Sequence, residues 1–454
     1  MANRWRLGLM RSRARAGSSI AQAGSAASKA KSTIGTTRGL MVLRVYMAEA
    51  PGIIARASMV AYRDSMPVTV IADDLTGACD AGALFAGRGP VPVFVGALAP
   101  SADWPAAAVD TESRGLAAAE AATRMRRTVA GLAGRRDGTV FKKIDSTFRG
   151  PIASELAALL EAMQASTVLV CPAFPAQGRT VLNGMLLVDG VPAHETPVGL
   201  DPAYPGPLSD LLDILSREGT PGIPVTLLPL KEVRGGAEEL RRGLQGRRGI
   251  RVADAETDAD LEALARAGLA QGSLLLAGSA GLAGAVSAAL GLTSRPVACP
   301  APGAWLIVAG SRHPSTRAQI AVLEAAGVAG ARVSPAGETT LDSVIAALRS
   351  GKPAFVASPD GPGGADEKTA ATLAALSVRA MIASPSIVAI AGGETAHAFM
   401  HAWGATRLEL DGAPAPGLAL GRLVATDGST LSVLTKAGGF GSPELLLTLA
   451  RGAA

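Results

Sequence analysis

Aromatic side chains make up only 3% of the 454 residues, and cysteine occurs three times. So few aromatics exclude the stacking platforms on which single-stranded nucleic acid is held. Cys79, Cys171 and Cys299 are far apart and odd in number. They fit neither a zinc spacing nor a disulfide framework, and they point to a reducing cytoplasm. His397 and His401 stand at i, i+4, but the glutamate of an H-E-x-x-H zinc helix is missing. No apolar run is long enough to span a bilayer. Two phosphate-binding fingerprints, G-x-x-x-x-G-K-[ST] and G-x-G-x-x-G, are also absent. Their absence excludes a P-loop kinase and an ordinary dinucleotide enzyme.

What is present is a chain with 48% hydrophobic and 18% charged residues, which suits a large buried core. Its length has room for two or three domains. The charge is uneven. Residues 1–65 hold nine Arg and two Lys against one Asp and one Glu, a net of +9. The whole chain carries +5, which leaves −4 for residues 66–454. The basic balance therefore belongs to the leader. Residues 1–65 are rich in Arg and Ser like a transit segment, but they lack an apolar secretory core. Met66-Pro67 stands directly before the first strand pattern. We therefore read residues 1–65 as a disordered leader or an over-extended start, outside the fold.

From Pro67 onward, short apolar runs alternate with Ala/Leu-rich helical stretches. Strands are expected at Val68–Ile71, Val91–Val95, Ala107–Asp110, Thr139–Lys142, Thr167–Cys171, Val225–Leu228 and Leu274–Ala277. Helices are expected between them, at Leu116–Leu132 and Ser154–Gln164 among others. Pro296, Pro300 and Pro302 cannot continue a helix or a central strand, so residues 295–303 read as a linker. A second set follows with strands at Ala304–Ala309, Ala354–Ala357, Ile387–Ala391 and Leu431–Thr435. The expected fold is α/β with two lobes, 66–294 and 304–454. Each lobe has a mainly parallel sheet flanked by helices. The active site is expected in the cleft between them.

The densest chemistry lies at Val70-Ile71-Ala72-Asp73-Asp74-Leu75-Thr76-Gly77-Ala78. An apolar strand runs into two adjacent carboxylates, and a helix follows. In open α/β sheets, ligands bind where strand ends meet helix starts. A carboxylate pair there can bind hydroxyls, accept a proton or hold a metal; it can also simply cap the helix. Three more strand-end loops add Asp110-Thr111-Glu112-Ser113-Arg114, Lys142-Lys143-Ile144-Asp145-Ser146-Thr147-Phe148-Arg149-Gly150 and Pro172-Ala173-Phe174-Pro175-Ala176-Gln177-Gly178-Arg179. Arg114, Lys143, Arg149 and Arg179 then stand beside Asp73, Asp74 and Asp145. Arginine forks bind carboxylates and aspartates take hydroxyls, a mixture suited to a small hydroxylated acid.

The second half carries Gly310-Ser311-Arg312, Gly392-Gly393-Glu394-Thr395 and Thr435-Lys436-Ala437-Gly438-Gly439-Phe440-Gly441, each after a strand. Small residues let backbone amides approach phosphate oxygens, and a helix start adds a favourable field. Three such loops on one lobe point to a nucleotide, with Lys436 available to neutralise a phosphate.

These loops, together with Gly278-Ser279-Ala280-Gly281-Leu282-Ala283, occur in the order found in the four-carbon acid sugar kinases, which the chain resembles over about residues 67–450. The resemblance implies an N-terminal sugar-acid domain and a C-terminal nucleotide domain. It implies phosphorylation of the terminal hydroxyl of threonate, erythronate or 3-oxo-tetronate with ATP and Mg²⁺. The Lys-Lys-Ile-Asp-Ser-Thr-x-Arg-Gly form favours the threonate and erythronate branches. Asp74, or else Asp145, is expected as the catalytic base. Asp73, Arg114, Lys143, Arg149 and Arg179 are expected to bind the sugar acid, with Arg149 or Arg114 clamping its carboxylate. Ser311, Gly392, Gly393, Glu394, Thr395, Lys436, Gly438 and Gly439 are expected to bind ATP, and no metal ligand is assigned. Two departures stand out: Ser442 replaces an Asp that often follows Gly-Gly-Phe-Gly, and Arg312-His313 interrupts a Gly-Ser-x-Ser pattern. The expected partners are the sugar acid and ATP in the cytoplasm, with neither nucleic acid nor membrane, and with a homodimer as the assembly allowed. Two other readings are a metal-dependent phosphatase and a non-catalytic sugar-acid sensor. The first needs Asp-x-Asp, and here the carboxylates are adjacent.

Overall fold

Five consecutive buried residues, Val68 to Ala72, open the fold. β-branched residues buried on both faces mark a central strand of a sheet covered by helices on either side. The computed structural model describes residues 66–452, apart from 97–102, 202, 218–221, 247, 273, 295–296, 335–338 and 360–366. The expected leader, residues 1–65, lies outside the described residues, as do Arg295 and Pro296 of the expected linker.

The strands of the first half are β1 (Val68–Ala72), β2 (Val91–Val95), β3 (Ala106–Asp110), β4 (Thr139–Lys143), β5 (Thr167–Cys171), β6 (Arg179–Leu182), β7 (Met185–Val188), β8 (Val191–Pro192), β9 (Val225–Leu228), β10 (Gly249–Ala253) and β11 (Leu274–Gly278). Those of the second half are β12 (Trp305–Ala309), β13 (Ala329–Arg332), β14 (Ala354–Ala357), β15 (Ile387–Ala391), β16 (Ala405–Gly412), β17 (Leu418–Ala425) and β18 (Thr430–Lys436). Fifteen of them form one sheet in the order β13-β14-β12-β15-β18-β17-β16-β2-β3-β1-β4-β11-β5-β10-β9. β6, β7 and β8 make a small separate antiparallel sheet.

The architecture is α/β, with a parallel run in each half. Where the two halves meet, the sheet does not break. β16 pairs antiparallel with β2, placing Leu408 opposite Val93 and Leu410 opposite Val91. β16, β17 and β18 form an antiparallel meander between the two parallel runs. Only hairpin-length connections link Gly412 to Leu418 and Ala425 to Thr430, too short for the crossover that parallel pairing needs.

β1, β3, β4, β5 and β11 run parallel, so the loops after Ala72, Asp110, Lys143 and Cys171 share one edge. β12, β15 and β18 are likewise parallel, and the loops after Ala309, Ala391 and Lys436 share an edge of the second half. The helix Leu75–Ala83 ties the halves together. All nine of its residues are buried, and it touches β16, β17, β18 and the helix Gly393–Trp403 as well as β1 to β3. Its small residues permit this: a Cβ placed on Gly82 would already lie 3.1 Å from Leu410 Cδ1.

Candidate active site

Asp74 is the N-cap of the helix Leu75–Ala83, accepting the Gly77 amide at 2.9 Å and the Thr76 hydroxyl. Its second role is decided by the neighbouring loop. Arg114 spans both carboxylates. Nε and Nη2 grip Asp73 at 2.7 and 3.0 Å, and Nη2 also reaches Asp74 at 2.7 Å. The Asp73 carbonyl in turn accepts the Ser113 and Arg114 amides, which locks the two loops together. Burial works to raise the Asp73 carboxyl, but the charges of Arg114, Lys142 and Lys143 outweigh it and hold it below the ordinary range.

Asp145 is built the same way one strand over. The Arg149 fork meets it at 2.8 and 2.9 Å, while Thr147 donates through both amide and hydroxyl. Arg149 Nη1 goes on to Asp201 at 2.9 Å. Burial opposes the ionised form of Asp145, yet Arg149 and Arg114 prevail and keep it well below the ordinary value. A carboxylate held so firmly ionised is a strong acceptor and a weak base. Lys143 is buried and donates to the Ile144 carbonyl at 3.0 Å.

Beneath this cluster runs a buried layer that the sequence reading missed. Lys142 Nζ stands 2.9 Å from Glu155, with both side chains almost fully buried. Ser113 donates to the other Glu155 oxygen at 2.5 Å. Burial pushes the Glu155 carboxyl up, against the pull of Lys142. Asp110, also buried, is raised well above the ordinary value by desolvation. The available signal for Glu155 was an acid on the apolar face of the helix Ile152–Met163, at the spacing of Ile152 and Leu159.

The second half presents its glycine loops to this cluster. Gly393 opens the helix Gly393–Trp403, and a Cβ there would lie 3.0 Å from Asp74 Oδ2. Gly392, at φ 112, packs its backbone on Ser311. A Cβ on Gly438 would overlap Ser311 Oγ, and one on Gly310 would overlap Thr395 Oγ1. Ser311, Gly392, Gly438 and Gly439 therefore converge, with buried Thr395 behind them, while Glu394 is exposed. Lys436 is buried and spends its ammonium on Thr316 Oγ1 and on the Ala437 and Gly438 carbonyls, each at 3.1 Å. Burial brings its pKa down to about 7. It holds the loop's shape. Gln319, on the same helix as Thr316 (Pro314–Ala325), does the same by donating to the carbonyls of Phe440, Gly441 and Ser442.

Phe440 of the second half packs against the first. Its ring lies 6.1 Å from that of Phe174, and the Arg179 guanidinium sits 5.9 Å above it. Arg179 Nε is buried with no hydrogen-bond partner among the described residues, although Nη1 donates to the Gln177 carbonyl.

Residues 68–286 match the family model described as a sugar-binding N-terminal domain, and residues 306–446 match that of a nucleotide-binding C-terminal domain. The chain belongs to the four-carbon acid sugar kinase family. It is similar to a D-threonate kinase of Cupriavidus necator, at 36% identity covering 83% of this chain and 95% of that protein. It is also similar to a 3-oxo-tetronate kinase of Methylobacterium radiotolerans, at 30% identity covering 84% and 97%. A crystal structure from Salmonella typhimurium shares the fold with a TM-score of 0.68 at 22% identity, covering 86% of this chain and all of that one. As a member of this family the chain is a phosphotransferase with an alcohol acceptor, and its nucleotide-binding domain implies the use of ATP. The kinase family does not announce itself through a P-loop here. Its three glycine loops are separate in sequence, and only the folded sheet brings them together.

Proposed function

We propose that this kinase transfers the γ-phosphoryl group of ATP to the terminal hydroxyl of a four-carbon sugar acid of the threonate type. The observation that carries the reading is the meeting of Asp74 with Gly393. An aspartate on the sugar-acid side touches the start of a helix that opens the phosphate side. A hydroxyl bound at Asp74 and a phosphate at the Gly392–Gly393 and Gly438–Gly439 loops would be neighbours. Positioning and charge neutralisation supply most of the catalysis in phosphoryl transfer. Asp74 takes the hydroxyl proton. Asp145, pinned by the Arg149 fork, binds a hydroxyl.

Arg114 and Arg149 spend their forks on Asp73, Asp74, Asp145 and Asp201. Arg179 keeps a buried Nε without an acceptor, an arrangement that costs about 1–3 kcal/mol unless a ligand supplies one. We assign the substrate carboxylate to Arg179, with Arg149 beside it. Asp73, Arg114 and Lys143 shape the pocket.

Among the described residues, no group of three or more His, Cys, Asp or Glu side chains is placed to hold a metal. The cleft carboxylates are committed to arginines, so they do not form a resident metal cage. Mg²⁺ enters as part of the ATP substrate, bound mainly by phosphates and water. Among the described residues, no helix is long and apolar enough to cross a membrane. The cytoplasm is the compartment we propose.

ADP release with a panel of D- and L-threonate, D- and L-erythronate and 3-oxo-tetronate tests the reading. A threonate isomer should give the highest kcat/KM. A panel without turnover would overturn the reading.

A further inference from the structure

His313 stands where the Gly310-Ser311 loop turns into the helix Pro314–Ala325, and it caps that helix with its ring. Its Nδ1 accepts the Ser315 amide at 3.2 Å. A neutral imidazole that accepts through Nδ1 carries its proton on Nε2. Nε2 is turned toward the phosphate loop: a Cβ at Gly439 would lie 3.1 Å from it, and one at Gly438 would lie 3.4 Å from His313 Cβ. The ring is half-buried. It feels charges from both sides of the cleft, namely Arg149, Arg179 and Asp145 from the sugar-acid half and Lys436 from its own. Burial and then the charges of Arg149, Lys436 and Arg179 lower the imidazole below its ordinary value, with Asp145 opposing. The ring is therefore neutral at neutral pH, and its Nε2–H is a fixed donor held by the helix cap.

Resting on the kinase reading, we propose that His313 donates a hydrogen bond from Nε2 to the phosphoryl group as it crosses the cleft. In the transfer, the bond from the γ-phosphorus to the bridging oxygen of ADP breaks and the bond to the sugar hydroxyl forms. The hydroxyl proton goes to Asp74, and His313 keeps its own. Charge in the transition state is spread over the equatorial phosphoryl oxygens. A donor fixed in advance stabilises that charge without reorganising. A serine at this position, the residue type of the related pattern, is too short to project a donor as far past Gly439.

The test uses the full chain, ATP and the acid that the wild type turns over best. His313→Ser keeps an oxygen to cap the helix and removes the ring. His313→Gln keeps an N–H donor of similar reach. His313→Ser should lose about 10- to 100-fold in kcat, somewhat below the usual effect of removing an oxyanion donor. KM for ATP and for the acid should change by less than about threefold, and the melting temperature should hold. His313→Gln should recover a large part of the loss. A His313→Ser variant with wild-type kcat would overturn the proposal, as would equal losses in both variants. A raised KM for ATP at unchanged kcat would also overturn it, because the contact would then belong to the ground state. A wild type that releases no ADP with any acid defeats the kinase reading and this inference together. An active wild type matched by His313→Ser defeats this inference alone.

Discussion

His397 Nδ1 lies 2.9 Å from Glu112 Oε1, linking the helix behind the Gly392–Gly393 loop to the loop after β3. Glu112 sits at φ 50, a left-handed conformation that costs a non-glycine residue roughly 1–2 kcal/mol. The hydrogen bond from His397 is the main reason its carboxyl falls below the ordinary value, with burial opposing. Both side chains are partly exposed, so solvent screening limits the pair to about 0.2–1 kcal/mol. Glu112→Gln should therefore destabilise the protein only slightly at neutral pH. A group with a lowered folded pKa contributes stability above its unfolded value and loses it as pH falls through the folded one. The gap between wild type and variant should close in acid. Glu112→Gly should be the more stable variant, because it relieves the backbone. Urea titrations at neutral and acidic pH check both statements.

Asp74→Asn is nearly isosteric and keeps an acceptor for the Gly77 amide. If Asp74 takes the hydroxyl proton, kcat should fall roughly 10²- to 10⁴-fold, with little change in affinity for the acid. Steady-state kinetics paired with calorimetry of the acid decide the matter. Lost affinity at retained kcat would make Asp74 a binding residue and leave the transfer to positioning and charge neutralisation.

Arg179→Lys keeps the charge but loses the planar fork and the ring contact with Phe440. KM for the sugar acid should rise at least about tenfold, while KM for ATP should stay within about twofold. Equal effects on both would return the carboxylate to Arg149 or Arg114.

Gly438→Val should abolish ATP binding, since any side chain there meets Ser311 Oγ. Binding of the acid should survive. Normal ATP affinity by calorimetry would remove this loop from the phosphate cradle.

Lys436 is buried with a pKa lowered to about 7. Above that pH the folded chain has released a proton that the unfolded chain still holds, up to the ordinary lysine value of 10.5. The unfolded state then binds more protons, so stability through this group rises with pH, by at most about 1.4 kcal/mol per unit. Lys436→Met removes that slope. Denaturation at pH ~7 and pH ~9 should show the wild type gaining on the variant at the higher pH. A gap that stays constant would mean that the lysine remains charged throughout.

The alternation of strand and helix was legible because it is local. β-branched runs such as Val68–Ala72 and Ile387–Ala391 bury both faces, and small or acidic residues at their ends start the next helix. The order of the loops around Asp73, Asp145, Ser311, Gly392 and Gly438 was legible for the same reason, and it was enough to recognise the family. The strand Gly249–Ala253 was missed because its Gly-Ile-Arg-Val-Ala sequence has an arginine at its centre, and Arg251 becomes buried only once neighbours surround it. The antiparallel meander was read only at its last strand. Its pairing with β2 depends on contacts between residues more than 300 positions apart.

At the site, sequence determined which chemical groups stand at strand ends. Folding decided which groups spend their charge on each other. Arg114 and Arg149 close onto aspartates of their own lobe, Lys436 turns into its own loop, and Arg179 keeps a buried donor without a protein acceptor. Glu155 and Lys142 pair across a helix and a strand, and His313 faces both halves. The reason is physical. A charge leaving water must find a partner, and which partner lies within about 3 Å is a property of the packed chain rather than of any segment of it.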